Sequence, residues 1–178
     1  MNIFFLDDDP RVCAVSHCDK HVVKMILEYA QMMSTAHRML DPPSELIEPM
    51  YKLTHKNHPS AKWVRESEGN YQWTHDLWFW LCKEYWWRYD KIHKTWEKLY
   101  NKLSHVPENI SSGVTTPPPL CMPDEYKINT GTPVQDTIES YRKYYLEDKS
   151  SFAKWGGTVE NMRQPPDWWK IGVSNAHV

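Results

Sequence analysis

The stretch from residue 17 to residue 38 constrains the fold most, because it contains neither proline nor glycine and therefore favours one long helix. At about 100° per residue, the apolar side chains here fall on one stripe, formed by Val22, Ile26, Tyr29, Met33, Ala36 and the adjoining Leu40. Val23, Leu27 and Ala30 widen this stripe to roughly half of the circumference. The sequence thus predicts a central helix that is mostly buried.

The polar side chains of this helix form a narrow ridge, consisting of Lys20, His21, Lys24, Glu28, Gln31, Thr35 and Arg38. A surface helix ordinarily has a broader polar face, so the ridge either reaches water or lines a cleft. Glu28 follows Lys24 by one helical turn and His21 by two. A half-buried glutamate in such company is either part of a structural ion pair or a general acid/base. The sequence leaves both alternatives open.

The whole pattern predicts a mainly α protein, a compact helical bundle formed by a single domain over residues 1–178. Residues 1–6 are short, apolar and aromatic, and are expected to form a buried strand or extended arm. Residues 41–59 and 104–125 lack periodicity and are expected to be long irregular loops. The second of these is either a functional lid or a covering loop.

Helix starts can be predicted from capping residues. Asp9 followed by Pro10 predicts a first short helix. Asp19 is the expected cap of the central helix, and Thr132 is the expected start of a capping box that opens a later helix. Residues 60–103 are expected to be largely helical.

The segment from residue 60 to residue 103 is rich in aromatic residues, which favour a core role, with base stacking as the alternative. Arg65 and Asn70 set polar groups among these aromatics. Residues 83–102 mix charges and are expected to form a solvated outer face. The tryptophan-rich tail after residue 150 is expected to be irregular.

Composition excludes several classes of protein. The formal net charge of −2 argues against a basic protein that coats nucleic acid, although a local basic cleft remains compatible with it. The four cysteines have irregular spacing, which predicts no disulfide framework and fits a reducing cytoplasm. We expect no membrane segment and no cofactor, because no apolar run is long enough and no glycine-rich phosphate loop, GxSxG elbow or HExxH motif occurs.

A metal site at the start of the central helix is the next alternative. His17 and His21 have the spacing of helical metal ligands, with Cys13 and Cys18 nearby. If Asp19 caps the helix, however, His17 lies before the first turn and that geometry fails. We therefore predict no metal.

Asp19, His21 and Glu28 together resemble a motif of the phage pyrimidine-dimer DNA glycosylases of the endonuclease V type, in which a helix carries Asp-x-His and then Glu seven residues after the histidine. A looser similarity continues through Asn57-His58 into the long helix that follows. The chain is similar either to that family or to a divergent phage protein family related to it. The resemblance implies an all-helical fold and a cytoplasmic location in an infected bacterium.

The resemblance also implies a reaction on a damaged or modified base in DNA. The amino-terminal α-amine attacks C1′ of an extruded nucleotide and forms a Schiff base, while Glu28 stabilises the sugar cation and His21 orients Glu28. Asn2 is expected to leave Met1 in place, so the Met1 amine is the predicted nucleophile. The predicted substrate-binding residues are Lys20, Lys24, Gln31, Arg38, His55, Lys56, Asn57, His58, Arg65, Asn70, Tyr126 and Lys127.

Other functions and simpler roles remain open at this point. A phage enzyme that acts on hypermodified thymine in DNA needs no strand cleavage. A non-enzymatic protein that binds a nucleotide-like ligand or a host partner needs the cationic residues but no acid/base. Residues 54–58 are either a solvated loop or an anion-binding edge at a helix start. The sequence does not define the oligomeric state.

Overall fold

A computed structural model describes residues 1–175, and over this range it contains seven helices and no β-strand. The helices are α1 (Pro10–Ser16), α2 (Asp19–Leu40), α3 (Pro59–Val64), α4 (Glu68–Tyr89), α5 (Lys94–Leu103), α6 (Pro133–Asp148) and α7 (Asp167–Asn175), with a 3-10 turn at Asp124–Tyr126. The prediction of a mainly α fold is confirmed. Among the described residues, no helix is both long and apolar enough to cross a membrane.

Helix α2 is the centre of the fold and packs against α3, α4 and α5, while α4 also packs against α1. The predicted apolar stripe of α2 is buried from Val22 to Ala36. The predicted widening is wrong at Val23 and Leu27, which are 45% and 37% exposed. His21 and Thr35 of the ridge are buried instead. Compared with the prediction, the buried face of α2 is therefore shifted around the helix towards the ridge. Other parts of the chain cover the ridge at His21 and Thr35.

Residues 1–6 run through the interior as a non-helical arm, with Ile3, Phe4, Phe5 and Leu6 buried. Three of its backbone N–H groups donate hydrogen bonds to side chains, because the arm belongs to no helix or strand. The Asn2 side-chain oxygen accepts from Ile3, the Tyr29 hydroxyl accepts from Phe4, and the Cys13 sulfur accepts from Leu6. Burial of each large apolar side chain contributes roughly 1.5–3 kcal/mol, so the arm is an integral part of the core.

Two predicted helix caps differ from the structure. Asp19 is the first residue of α2 rather than its cap, which is Cys18. The Asp19 carboxylate instead accepts hydrogen bonds from Arg88 at 2.8 Å and from the Gly156 backbone at 3.1 Å. At α6, Thr132 makes no capping bond with its side chain. Asp136, one turn into the helix, accepts from the backbone N–H groups of residues 130–132.

The loop after α5 covers α3 and α4 and is irregular over most of its length, as predicted. It approaches α4 closely at Gly69, where a Cβ atom would lie 2.4 Å from the backbone nitrogen of Thr115. The Asn70 side-chain oxygen accepts from the Thr116 backbone at 2.9 Å. The tail differs from the prediction, because its last described part is helix α7.

A buried ion-pair network joins α1, α2, α4 and the tail. Fully buried Arg88 donates to Glu84 at 2.7 Å, to Asp19 at 2.8 Å and to the Val15 carbonyl at 3.1 Å. Glu84 also accepts two bonds of 2.8 Å from Arg163. The prediction of a solvated face over residues 83–102 is therefore wrong at residues 84 and 88. The mixed charges of this segment did not indicate that Arg88 pairs with Asp19 and Glu84 with Arg163, both distant in sequence.

Replacing Arg88 by methionine should destabilise the fold strongly. The change keeps much of the side-chain volume but leaves buried Glu84 and half-buried Asp19 short of a cation. Removal of one partner from a buried ion pair costs roughly 3–5 kcal/mol. Urea unfolding followed by tryptophan fluorescence measures the loss. The exposed Lys91→Met is the control, with an expected change within about 0.5 kcal/mol, and equal stability of the two variants would contradict the assignment.

Candidate active site at the amino terminus

The α-amine of Met1 lies next to the carboxylate of Glu28, with 3.8 Å between the nitrogen and Oε2. The other oxygen of Glu28 is 3.2 Å from the Lys24 ammonium group, one helical turn earlier on α2. The Glu28 side chain is 15% exposed. The carboxylate therefore bridges two cations at the edge of solvent, and the ridge of α2 lines a cleft at this point.

The second residue holds the amine in this position. The side-chain amide of Asn2 donates to the Cys121 carbonyl at 2.9 Å, and its oxygen accepts from the Tyr141 hydroxyl at 2.7 Å. These bonds tie the arm to the covering loop and to α6. The Met1 side chain is only 3% exposed, so it packs into the protein. The amine is thus fixed by its own residue and by the next.

A cavity of about 360 Å³ opens beside the amine, and we call it the amine cleft. Its lining residues are Met1, Asn2, Phe4, Lys20, His21, Lys24, Met25, Glu28, Cys121, Tyr144, Lys149 and Phe152. The cleft brings together five of the residues predicted from sequence: Met1, Lys20, His21, Lys24 and Glu28. It also includes four residues, at positions 121, 144, 149 and 152, that the sequence did not indicate.

The newly identified wall of the cleft consists of residues around the end of α6. The Lys149 ammonium group lies 3.0 Å from the Tyr144 hydroxyl, 4.3 Å from the centre of that ring and 2.6 Å from Asp148. The Lys20 ammonium group lies 4.4 Å from the centre of the Phe152 ring. Cation–π contacts of this kind orient lysine side chains. Two oriented cations therefore face the cleft from α2 and from the end of α6.

His21 is a neutral group inside the cleft. Its ring stacks on Phe4 at 4.2 Å, and Nδ1 shares a hydrogen bond with the Tyr145 hydroxyl. Burial, with His17 and nearby lysines as further causes, lowers the pKa of His21 to about 2. The predicted role of orienting Glu28 does not fit these contacts, because the ring bonds to Tyr145. Nε2 is the ring nitrogen that remains available to a ligand.

The loop before α3 contributes one group near the site. Burial and the positive α-amine lower the pKa of His58, and its Nδ1 accepts the Ser60 backbone N–H at the start of α3. The preceding residues 55–57 are exposed and do not line the cleft. His58, at the end of the predicted anion-binding edge, therefore lies close enough to the amine for the charge of the amine to lower its pKa.

The other predicted binding residues lie outside the cleft. Arg38 donates to four backbone carbonyls between residues 47 and 51. Buried Asn70 bonds to Trp63 and to the covering loop, and Arg65 donates to the Ala61 carbonyl. These three therefore have structural contacts. Gln31, Tyr126 and Lys127 are also absent from the lining, and Lys127 forms an ion pair with Asp124.

His17 lies between α1 and α2, as predicted, and is fully buried. Its Nδ1 bonds to the Cys13 carbonyl at 2.8 Å, and its Nε2 shares a bond of 3.0 Å with the Tyr29 hydroxyl. Burial lowers the pKa of His17 to about 4. Within residues 1–175, no group of three or more His, Cys, Asp or Glu side chains is arranged to hold a metal ion.

Acidification should destabilise the protein through His21. Its folded pKa of about 2 lies below the ordinary value of 6.5, so the unfolded chain binds a proton more readily. This stability is present above about pH 6.5 and is lost as the pH falls, by up to roughly 1.4 kcal/mol per pH unit for one histidine. Free energies of unfolding at about pH 7 and pH 5 should differ less in His21→Gln than in the unchanged chain.

The exposed Asn57→Gln is the control for this measurement, because it changes a surface side chain without removing a titratable group. It should leave the pH dependence unchanged. An identical pH dependence in His21→Gln and in the unchanged chain would contradict a neutral, buried His21.

Comparison of the chain with family models, with curated proteins and with solved structures found no match. The resemblance to the pyrimidine-dimer glycosylases therefore stays a prediction that depends mainly on the motif at residues 19–28. The juxtaposition of the chain's first nitrogen and Glu28 does not depend on that resemblance. It is the observation from which a function can be argued.

Proposed function

We propose that this chain is an enzyme of the DNA glycosylase/lyase type, in which the Met1 amine is the nucleophile and Glu28 is its partner carboxylate. The distance of 3.8 Å between the two groups in an open cleft carries this proposal. A nucleophile next to a group that can take up its proton is the usual arrangement for covalent catalysis. An ion pair with a purely structural role on the protein surface would require neither an open cleft beside it nor a buried Met1 side chain.

The proposed step begins when the amine, which is cationic at rest, has lost one proton to water and attacks C1′ of a nucleotide. The N–C1′ bond forms, the bond between C1′ and the base breaks, and the departing base takes a proton from water. Glu28 accepts the proton that the attacking nitrogen loses and returns it to the sugar ring oxygen as the ring opens to a Schiff base. The negative carboxylate also stabilises positive charge that develops on the sugar. Hydrolysis of the Schiff base frees the amine.

The charges of the amine cleft support an anionic substrate. The amine, Lys20, Lys24 and Lys149 are cationic, while Glu28 is the carboxylate of the lining. The volume of about 360 Å³ suits one extruded nucleotide rather than a stacked base pair. Damaged or modified nucleotides are less costly to extrude from a duplex than normal ones.

Borohydride trapping tests this proposal. A duplex with an abasic site or a thymine dimer should give a covalent adduct on Met1, and mass spectrometry should locate it there. Glu28→Gln should slow the reaction by roughly 10²–10⁴-fold, as expected for loss of a general acid/base. A Gly-Ser extension ahead of Met1 should abolish the adduct, since it displaces the terminal amine from Glu28.

The control for this experiment is Glu139→Gln, an exposed glutamate on α6 that contacts Gln135, which should react like the unchanged chain. If no adduct forms and Glu28→Gln binds nucleotide as well as the unchanged chain does, the enzyme hypothesis is wrong and the protein is a non-enzymatic binder. A change in modified thymine without strand cleavage would instead identify the hypermodification enzyme.

A further inference from the structure

We infer that Lys20 and Lys149 form a phosphate subsite in the amine cleft, which receives the phosphate of the single nucleotide whose sugar meets the Met1 amine. The inference deepens the proposed function and rests on it for the nature of the anion, a nucleotide phosphate. Phosphate binding as such follows from the charges and contacts of the cleft.

The positive charges in the amine cleft are only partly offset by carboxylates. Glu28 lies within 4 Å of both the Met1 amine and Lys24, so it offsets these cations locally. Lys149 pairs with Asp148, which is 40% exposed and therefore partly screened by water. Within the described part of the chain, Lys20 forms no ion pair. The lining of the cleft thus has a net positive charge, and Lys20 lies more than two helical turns before Glu28 on α2.

Aromatic rings hold both lysine side chains in place. Lysine side chains are flexible, and a phosphate site is effective only when they are held in place. Phe152 lies under the Lys20 ammonium group and Tyr144 lies under that of Lys149, at 4.4 Å and 4.3 Å. The Tyr144 hydroxyl adds a contact of 3.0 Å to Lys149. The two ammonium groups are therefore positioned before a ligand arrives.

A neutral group, His21, lies near both lysines. His21 lines the same cleft, its ring contacts Phe152 edge-on at 5.6 Å between centroids, and its Nδ1 is already bonded to Tyr145. Nε2 can then bond to a phosphate or sugar oxygen without adding charge. By contrast, Lys56 and Arg65, which the sequence predicted as substrate-binding residues, do not line the cleft.

Isothermal titration calorimetry with unreactive dTMP tests the inference on the full-length chain. Lys149→Gln and Lys20→Gln should each weaken dTMP binding by about tenfold or more, because each removes a charge-assisted hydrogen bond. Lys56→Gln is the matched control and should change it by less than about twofold. Thymidine, which has no phosphate, should bind weakly and equally to all of these chains.

Lys149→Arg keeps the charge and should retain most of the dTMP affinity, which separates loss of phosphate binding from loss of structure. Inorganic phosphate should compete with dTMP in the unchanged chain and fail to bind to Lys20→Gln. Equal affinity of the Lys20→Gln, Lys149→Gln and Lys56→Gln chains for dTMP would overturn the subsite. Because dTMP binding involves no chemistry, a failed trapping experiment with intact dTMP binding refutes the proposed reaction alone.

Discussion

The hydrogen bonds of the Asn2 side chain, together with the buried Met1 side chain, hold the α-amine beside Glu28 in the candidate site. A free chain terminus is ordinarily mobile, and a mobile amine cannot be held against a carboxylate. Asn2 bonds to the covering loop through the Cys121 carbonyl and to α6 through Tyr141, while the following apolar residues are buried. The contacts of residues 1–6 therefore complete the core and also position the amine. The fold and the candidate site depend on the same segment.

The distribution of charge explains how an acidic chain can have a cationic site. The formal net charge is −2, which argued against general binding of nucleic acid. The lysines at positions 20, 24 and 149 come together only because the end of α6 lies beside the first turns of α2. In the network around Arg88, by contrast, the buried charges are paired. Local concentration of cations, rather than their total number, thus gives the candidate site its positive charge.

Features that depend on neighbours in sequence were predictable, and features that depend on distant contacts were not. The apolar stripe of α2 and the Asp9-Pro10 helix start follow from local periodicity and capping, and the structure confirms both. Burial of Glu84 depends on arginines 4 and 79 residues away. Lys149 reaches the cleft more than 100 positions after Glu28, and no spacing rule relates the two. Lys20, Lys24 and Glu28 lie on one helix and were therefore predictable as a group. The approach of the Met1 amine was expected only from the family resemblance, and the α6 wall was not predicted.

The first turns of α2 contain polar residues in buried positions and apolar residues in exposed positions, which does not favour maximum stability. His21 is buried although it is polar, Glu28 is half-buried, and Val23 and Leu27 face solvent on the same helix. An apolar residue at position 21 would pack against Phe4 without the loss of stability that a buried histidine brings at low pH. Departures of this kind concentrate where function competes with stability. Their location, around the amine and its carboxylate, favours a ligand-binding cleft over a solvent-exposed ridge.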